Sequence, residues 1–243
     1  MASSREAGSL RGLTAVVTGA SRGIGFETAR RLREEGAWVA MVARGAEHLR
    51  AAAASVGGHA VPADVSDPAA VHRLATYLFE LLGGAAPAVL VNAAGTFRLA
   101  PVAETEPEEF DRHLAVNLRG PFLMIRAFLP AMLARGSGHV VTVGSIAGRH
   151  AFPHNGAYSA SKFGVRGLHA VLDAELRGTG VRATLIEPAA TATGIWDAVD
   201  RERHPGLPPR EQMLSPRAVA DAIVFAVTQP PEVAVRALAL ERT

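Results

Sequence analysis

Lys162 is the single lysine in a 243-residue chain whose lysines and arginines together number 25, and it follows Tyr158, one of two tyrosines, by four residues. Every other basic side chain is an arginine, so position 162 selects an ammonium where the composition otherwise uses a guanidinium. An ammonium is a compact charge with three rotatable donors that fits close to a phenol and a sugar hydroxyl, whereas a guanidinium is a planar fork. Residues i and i+4 share one helix face, so the segment Tyr158-Ser159-Ala160-Ser161-Lys162 sets a phenol beside a cation. A free phenol titrates near ~10, and an adjacent positive charge favours the phenolate. The spacing predicts a proton-transfer pair whose tyrosine is drawn toward neutrality. Taken alone, the same spacing also suits a solvated helix face.

A second group of residues has the form of a phosphate-binding turn. Thr18-Gly19-Ala20-Ser21-Arg22-Gly23-Ile24-Gly25 follows an apolar run and opens the helical run Phe26 to Arg33. Glycines permit a tight turn and close approach of backbone to a pyrophosphate, which the amides and dipole of a helix N-terminus then stabilise. The spacing is Gly-x-x-x-Gly-x-Gly, not the commoner Gly-x-Gly-x-x-Gly. The next strand ends Val42-Ala43-Arg44-Gly45, with no acid to hold a ribose 2′-hydroxyl. Arg44 there and Arg22 in the turn instead suit a 2′-phosphate, so the expected cofactor is NADP(H) and not NAD. The competing reading is that both arginines are solvated surface charges.

These groups need elements to hold them. Thr14 to Val17, Trp38 to Val42, Ala60 to Pro62, Ala88 to Val91, His139 to Val143 and Arg182 to Ile186 read as apolar strands, each followed by a helix-sized segment. Continuous apolar strands belong where both sheet faces are covered, so the expected fold class is α/β: a Rossmann-like, doubly wound parallel sheet of about seven strands. Thr105-Glu106-Pro107-Glu108 has capping-box spacing and opens one long helix that ends before Arg135. Residues 1–10 read as a flexible tail and residues 11–243 as one domain. Residues 189–214 break the rhythm as an irregular, proline-bearing excursion of the kind that forms lids.

Composition narrows the function. Hydrophobic residues make up 49%, the formal net charge is +2 and there is no cysteine. No apolar stretch reaches the length of a membrane span, the arginines form no stripe for nucleic acid, and no secretion signal opens the chain. The expectation is a cytoplasmic protein with small-molecule partners.

Further motifs sharpen this into a resemblance. Asp64-Val65 follows the third strand, Asn92-Ala93-Ala94-Gly95 the fourth, Asn117 stands in Val116-Asn117-Leu118, and Ser145 in Gly144-Ser145-Ile146-Ala147-Gly148 closes the fifth. Together with the glycine turn and Tyr158-x-x-x-Lys162, these resemble, in order, the motifs of the short-chain dehydrogenase/reductase family over residues 10 to 195. The resemblance implies a catalytic set of Asn117, Ser145, Tyr158 and Lys162. It implies cofactor contacts from Gly19, Ser21, Arg22, Gly23, Ile24, Gly25, Arg44, Asp64, Val65, Asn92, Ala93, Gly95, Tyr158 and Lys162, and beyond the sixth strand from Pro188, Ala189, Thr191 and Thr193. Ala93 and Ala189 depart from the asparagine and glycine usual at those positions. The ending of the chain resembles that of a subgroup with 3-hydroxy-acid dehydrogenases.

The implied chemistry is hydride exchange between a nicotinamide and a carbonyl or secondary alcohol carbon. Tyr158 acts as acid or base, Ser145 holds the substrate oxygen, Lys162 lowers the Tyr158 pKa and holds the ribose, and Asn117 anchors a relay water. His154, Asn155, Ile195 and Trp196 are candidates to line the substrate cleft. His150 and His154 lack a third partner, so no metal is expected. A non-catalytic, redox-sensing dinucleotide-binding protein is the alternative, and an extended-branch epimerase or dehydratase is disfavoured by the short C-terminal portion. The family also suggests a homotetramer or homodimer built on helices near 107–134 and 156–178.

Overall fold

The computed structural model describes residues 9–243 apart from residues 201 and 205. Seven parallel strands form one sheet: β1 (Thr14–Thr18), β2 (Trp38–Ala43), β3 (His59–Pro62), β4 (Val89–Asn92), β5 (Gly138–Val143), β6 (Val181–Pro188) and β7 (Ala237–Leu240). Their order is β3-β2-β1-β4-β5-β6-β7. The helices are α1 (Gly23–Glu34), α2 (Ala46–Val56), α3 (Pro68–Leu81), α4 (Pro107–Leu114), α5 (Gly120–Arg135), α6 (Gly156–Glu175) and α7 (Pro216–Val227). The sheet is thus the doubly wound one that the strand runs imply; β7, built from Ala-Leu-Ala-Leu, is the strand those runs do not mark.

Alternation along each strand divides the core. Ala15, Val17, Val39, Met41, Val89 and Val91 meet Ala29, Leu32, Leu49, Val219 and Ile223 on one face. Val16, Ala40, Val42, Leu90 and Val140 meet Leu74, Leu78, Met124, Phe128 and Leu172 on the other. Side chains point to opposite faces with a period of two, so two packed helix layers demand apolar residues at every position.

The switch point lies at β1, which pairs with β2 on one side and β4 on the other. Chain connections diverge there, leaving a crevice beyond the carboxyl ends of β1 and β4. The glycine turn and Asn92-Ala93-Ala94-Gly95 both leave the sheet at this crevice.

Three local expectations change. The expected tail over residues 1–10 falls, for residues 1–8, outside the described residues. Leu10 is no tail residue: it is 2% exposed in the core and its amide donates to the Glu35 carbonyl at 2.9 Å. Thr105 does not cap the helix, because its hydroxyl donates to the Pro101 carbonyl at 2.9 Å and closes the short turn Val102–Glu104. The long helix after Pro107 is broken by a π turn over Ala115–Arg119. Pro121 has no N–H to offer the Asn117 carbonyl four residues earlier, so the α ladder cannot close there.

One buried titratable group predicts how the fold responds to acid. His139, 2% exposed in β5, uses Nε2 to bond the Thr184 hydroxyl at 2.8 Å, while that hydroxyl donates to the Val235 carbonyl at 2.6 Å. His139 is therefore the Nε2–H tautomer, and its bare Nδ1 has no partner among the described residues. Burial, aided by the Arg182 charge, holds its pKa down at about 3. The unfolded chain binds a proton below the ordinary ~6.5 while the fold refuses it, so stability is complete above that value and falls as pH drops toward 3. At about pH 4.5 the loss is about 2–3 kcal/mol. Urea unfolding at neutral pH and at that pH should show a smaller acid loss in His139→Gln; equal losses in both proteins would remove His139 from the account.

Candidate active site

The strand ends open into one cleft of about 1270 Å³, larger than the ~300–1,000 Å³ of an ordinary single-ligand pocket. One end is the glycine turn. Gly19 has φ +67°, and a Cβ there would lie 2.7 Å from the Ala93 carbonyl oxygen; a Cβ on Gly25 would collide with the Gly19 carbonyl. Only glycine permits this packing of turn against strand end. The first turn of α1 has no acidic residue, and Arg22 at its N-cap makes no side-chain cap. Its first amides are thus left to an anion from the cleft.

Arg22 and Arg44 both line this end, are exposed, and have no ion-pair partner among the described residues. Arg22 extends toward the excursion, where its Nη1 would lie 3.6 Å from a Cβ on Gly194. Asp64 is fixed by accepting from the Ser66 amide at 2.9 Å and the Ser66 hydroxyl at 2.7 Å. Its pKa is lowered: burial opposes the carboxylate, but the two Ser66 bonds and the Arg44 charge prevail. Donors at a helix terminus, guanidinium groups with no ion-pair partner among the described residues and a cleft of this volume fit a dinucleotide.

At the other end the cleft meets Ser145, Tyr158 and Lys162. Ser145 follows β5 and its hydroxyl accepts from the Ala147 amide at 3.1 Å. Tyr158 and Lys162 share one face of α6, and the ammonium stands 5.5 Å from the centre of the phenol ring. The titration differs from the expectation. Burial pushes the Tyr158 phenol up to about 12, with a hydrogen bond to Ser145 pulling the other way. Burial likewise pushes Lys162 down to about 8. Desolvation outweighs pairing because the ammonium donates to the Val143 carbonyl at 2.9 Å and not to the phenol. Around neutrality, then, the phenol holds its proton and the lysine its charge.

Asn117 lies behind the cleft wall, 1% exposed in the π turn. Its amide is fully engaged: Oδ1 accepts from the Thr96 amide at 2.8 Å, and Nδ2 donates to the Thr96 carbonyl and the Ser161 hydroxyl, each at 3.0 Å. Ser161 in turn donates to the Tyr158 carbonyl at 2.6 Å. The side chain therefore ties the loop after Gly95 to the turn of α6 that presents Tyr158. Asn92 also stays off the cleft, buried at the end of β4, and neither of its amide atoms has a partner among the described residues.

The remaining expected residues meet in the cleft. Ser21, Gly23, Ile24, Val65, Ala93 and Gly95 line the turn end. Pro188, Ala189, Thr191 and Thr193 line the middle. His154, Asn155, Ile195 and Trp196 line the end beside Tyr158. Trp196 is anchored by donating from Nε1 to the Thr191 carbonyl at 2.9 Å. Sequence reading missed Phe97, whose ring meets Tyr158 and Trp196 edge-on, both at 4.8 Å between centroids. Its place two residues beyond Gly95 is the one signal that points to it. It also missed His204, which no spacing marks. Among the described residues, no three histidine, cysteine, aspartate or glutamate side chains gather to hold a metal, and no helix is long and apolar enough to cross a membrane.

Residues 13–204 match the family model described as short chain dehydrogenase. This chain belongs to the short-chain dehydrogenase family. A D-threitol dehydrogenase from Mycolicibacterium smegmatis is 38% identical to it over 225 residues, 89% of this chain and 86% of that one. A glycine betaine reductase from Emericella nidulans is 38% identical over 96% of this chain, which spans only 19% of that much longer protein. Among solved structures, a metagenomic short-chain oxidoreductase in complex with NADP superposes with a TM-score of 0.82 at 35% identity, covering 97% of this chain and 99% of its own. As a short-chain dehydrogenase, the chain is an oxidoreductase that uses a nicotinamide dinucleotide, and the glycine turn with its uncapped helix amides suits that ligand's pyrophosphate.

Proposed function

We propose that this short-chain dehydrogenase is an NADP(H)-dependent enzyme that interconverts a carbonyl and a secondary alcohol, with Tyr158 as general acid and base. The observation that carries the proposal is the convergence of Ser145, Tyr158 and Lys162 at one end of a cleft whose other end offers uncapped helix amides and two arginines with no ion-pair partner among the described residues. The dinucleotide, when bound, supplies or accepts the hydride. Ser145 donates a hydrogen bond to the substrate oxygen and so orients the carbonyl. Tyr158 gives its phenolic proton to that oxygen in reduction and takes it back in oxidation. Lys162 keeps a positive charge near the phenol, stabilising the phenolate left behind. Asn117 acts as a positioning residue, through Thr96 and Ser161.

The related dehydrogenase and reductase carry substrate names as different as a sugar alcohol and a betaine, so only the oxidoreduction common to both names is carried over to this chain. Exposed Phe122 and Leu133 on α5, with Phe163 and Val171 on α6, offer an apolar face for a homodimer or homotetramer. No observation favours the non-catalytic sensing alternative.

The test is NADPH consumption over ketones, 3-oxoacyl thioesters, quinones and sugars, with NADH in parallel. Turnover that prefers NADPH is expected; binding of NADPH without consumption of any class would overturn the catalytic reading. Arg44→Ala should weaken the NADPH preference by about 10–100-fold, the worth of one charge-assisted hydrogen bond, and leave NADH kinetics within about twofold. An equal loss with both cofactors would instead assign Arg44 a structural role.

A further inference from the structure

His154 is the one non-glycine residue among the described residues with its backbone in the left-handed region, at φ 64°. That conformation is disfavoured for an L-residue and persists only when neighbours enforce it. Here the Ala100 amide donates to the His154 carbonyl at 2.8 Å, and Ala100 bridges to Asn155, which is 6% exposed. The turn carries the His154 ring to His204: their Nδ1 atoms are 3.1 Å apart and their ring centroids 5.1 Å. One Nδ1 must donate a proton and the other accept, so at least one ring is neutral.

This contact joins the two walls of the cleft. His154 belongs to the loop that leads into α6, four residues before Tyr158, and His204 belongs to the excursion between β6 and α7. The excursion is fastened at its base by the Trp196 bond to Thr191 and by the bridge of Thr191 to Leu214. Phe97, Leu99 and Trp196 line the same cleft, and the Phe97 ring meets both Tyr158 and Trp196 edge-on. The proposed proton transfer uses neither histidine.

We propose that His154 and His204 form a clasp that closes the substrate end of the cleft over a carbonyl compound with an apolar, planar body. That body lies against Phe97 and Trp196, and the clasp sets the affinity for this substrate while leaving the affinity for the cofactor unaltered. The inference rests on the reading that a carbonyl compound binds beside Tyr158.

The experiment compares the full chain with His204→Phe, which keeps a ring but removes the hydrogen bond, and with His204→Asn, which restores a polar partner. With NADPH saturating, amide hydrogen exchange over residues 194–214 should quicken about fivefold in His204→Phe and return toward the parent rate in His204→Asn. With 1-phenyl-1,2-propanedione as the apolar probe, KM should rise about fivefold in His204→Phe, the loss of one neutral hydrogen bond, with kcat and the NADPH Kd within about twofold. Dihydroxyacetone, small and polar, should be the poorer substrate. Unchanged exchange in His204→Phe, or equal damage in His204→Asn, overturns the clasp. Preference for dihydroxyacetone overturns the apolar class. If no probe is consumed although NADPH binds, the carbonyl reading fails, and the exchange rates still decide whether the clasp exists.

Discussion

Tyr158→Phe should lower kcat about 10²–10⁴-fold, the usual contribution of a positioned proton donor, and leave the NADPH Kd within about twofold. The substitution keeps the ring, and with it the edge contacts to Phe97 at 4.8 Å and His113 at 6.3 Å, so the melting temperature should hardly move. Steady-state turnover, cofactor titration and thermal unfolding on the same preparation separate chemistry from folding. Activity above about a tenth of the parent's would remove Tyr158 from the proton-transfer role. The pH profile gives a second check. Burial lowers the Lys162 pKa to about 8, so the charge is present below that value and lost as pH rises through it. The kcat/KM for NADPH at saturating carbonyl reports groups of the free enzyme. It should be level near neutrality and fall as pH rises through about 8; Lys162→Arg, less active, should lack that fall.

The second large effect concerns stability. Glu187, 1% exposed at the end of β6, accepts from Arg149 Nε at 2.8 Å and also from its Nη2, while Arg166 donates to the other oxygen at 2.6 Å. Arg149 lies four residues beyond Ser145, Arg166 four beyond Lys162, and Pro188 directly follows the glutamate. One carboxylate thus fastens the three segments that frame the inner cleft. Each arginine is partly open to water, at 35% and 44% side-chain exposure, so losing one leaves the charge compensated by the other. Replacing both, as Arg149→Met with Arg166→Met, strands a buried carboxylate and should cost about 3–5 kcal/mol. That corresponds to a fall in Tm of roughly 10 °C for a chain of this size. Adding Glu187→Gln should restore most of the loss, since the uncompensated charge is its origin. Failure of that rescue would attribute the damage to lost packing of the arginine stems.

The cofactor end was legible in the sequence because its requirements are local. Gly19 needs a positive φ, Gly25 needs to lack a Cβ, and both demands are met within eight residues of one strand–turn–helix unit. The apolar strand runs likewise encode burial on both faces directly, and Tyr158 and Lys162 share a face because helix geometry alone sets their separation. The end beside Tyr158 was legible in part: His154, Asn155, Ile195 and Trp196 were marked in the chain and line the cleft. Phe97 and His204 were not, because they come from separate connections that approach the others only when the sheet has been assembled, so no spacing along the chain relates them.

The ionisation of the site was decided at the same level. Residue types and an i,i+4 spacing suggested a phenol lowered by its lysine, but titration depends on how much water folding removes. Burial of both groups, and the Val143 carbonyl that takes the ammonium, reverse the direction for Tyr158. Asn117 follows the same rule: its position was marked in the chain, yet the partners of its amide, Thr96 and Ser161, are 21 and 44 residues away. Sequence by itself determined the fold class, the glycine turn and the family motifs, since each depends on neighbours within a turn or a strand. Tertiary structure alone decided which residues line the cleft beside Tyr158 and how far each buried group is removed from water, because long-range contact and desolvation exist only in the assembled fold.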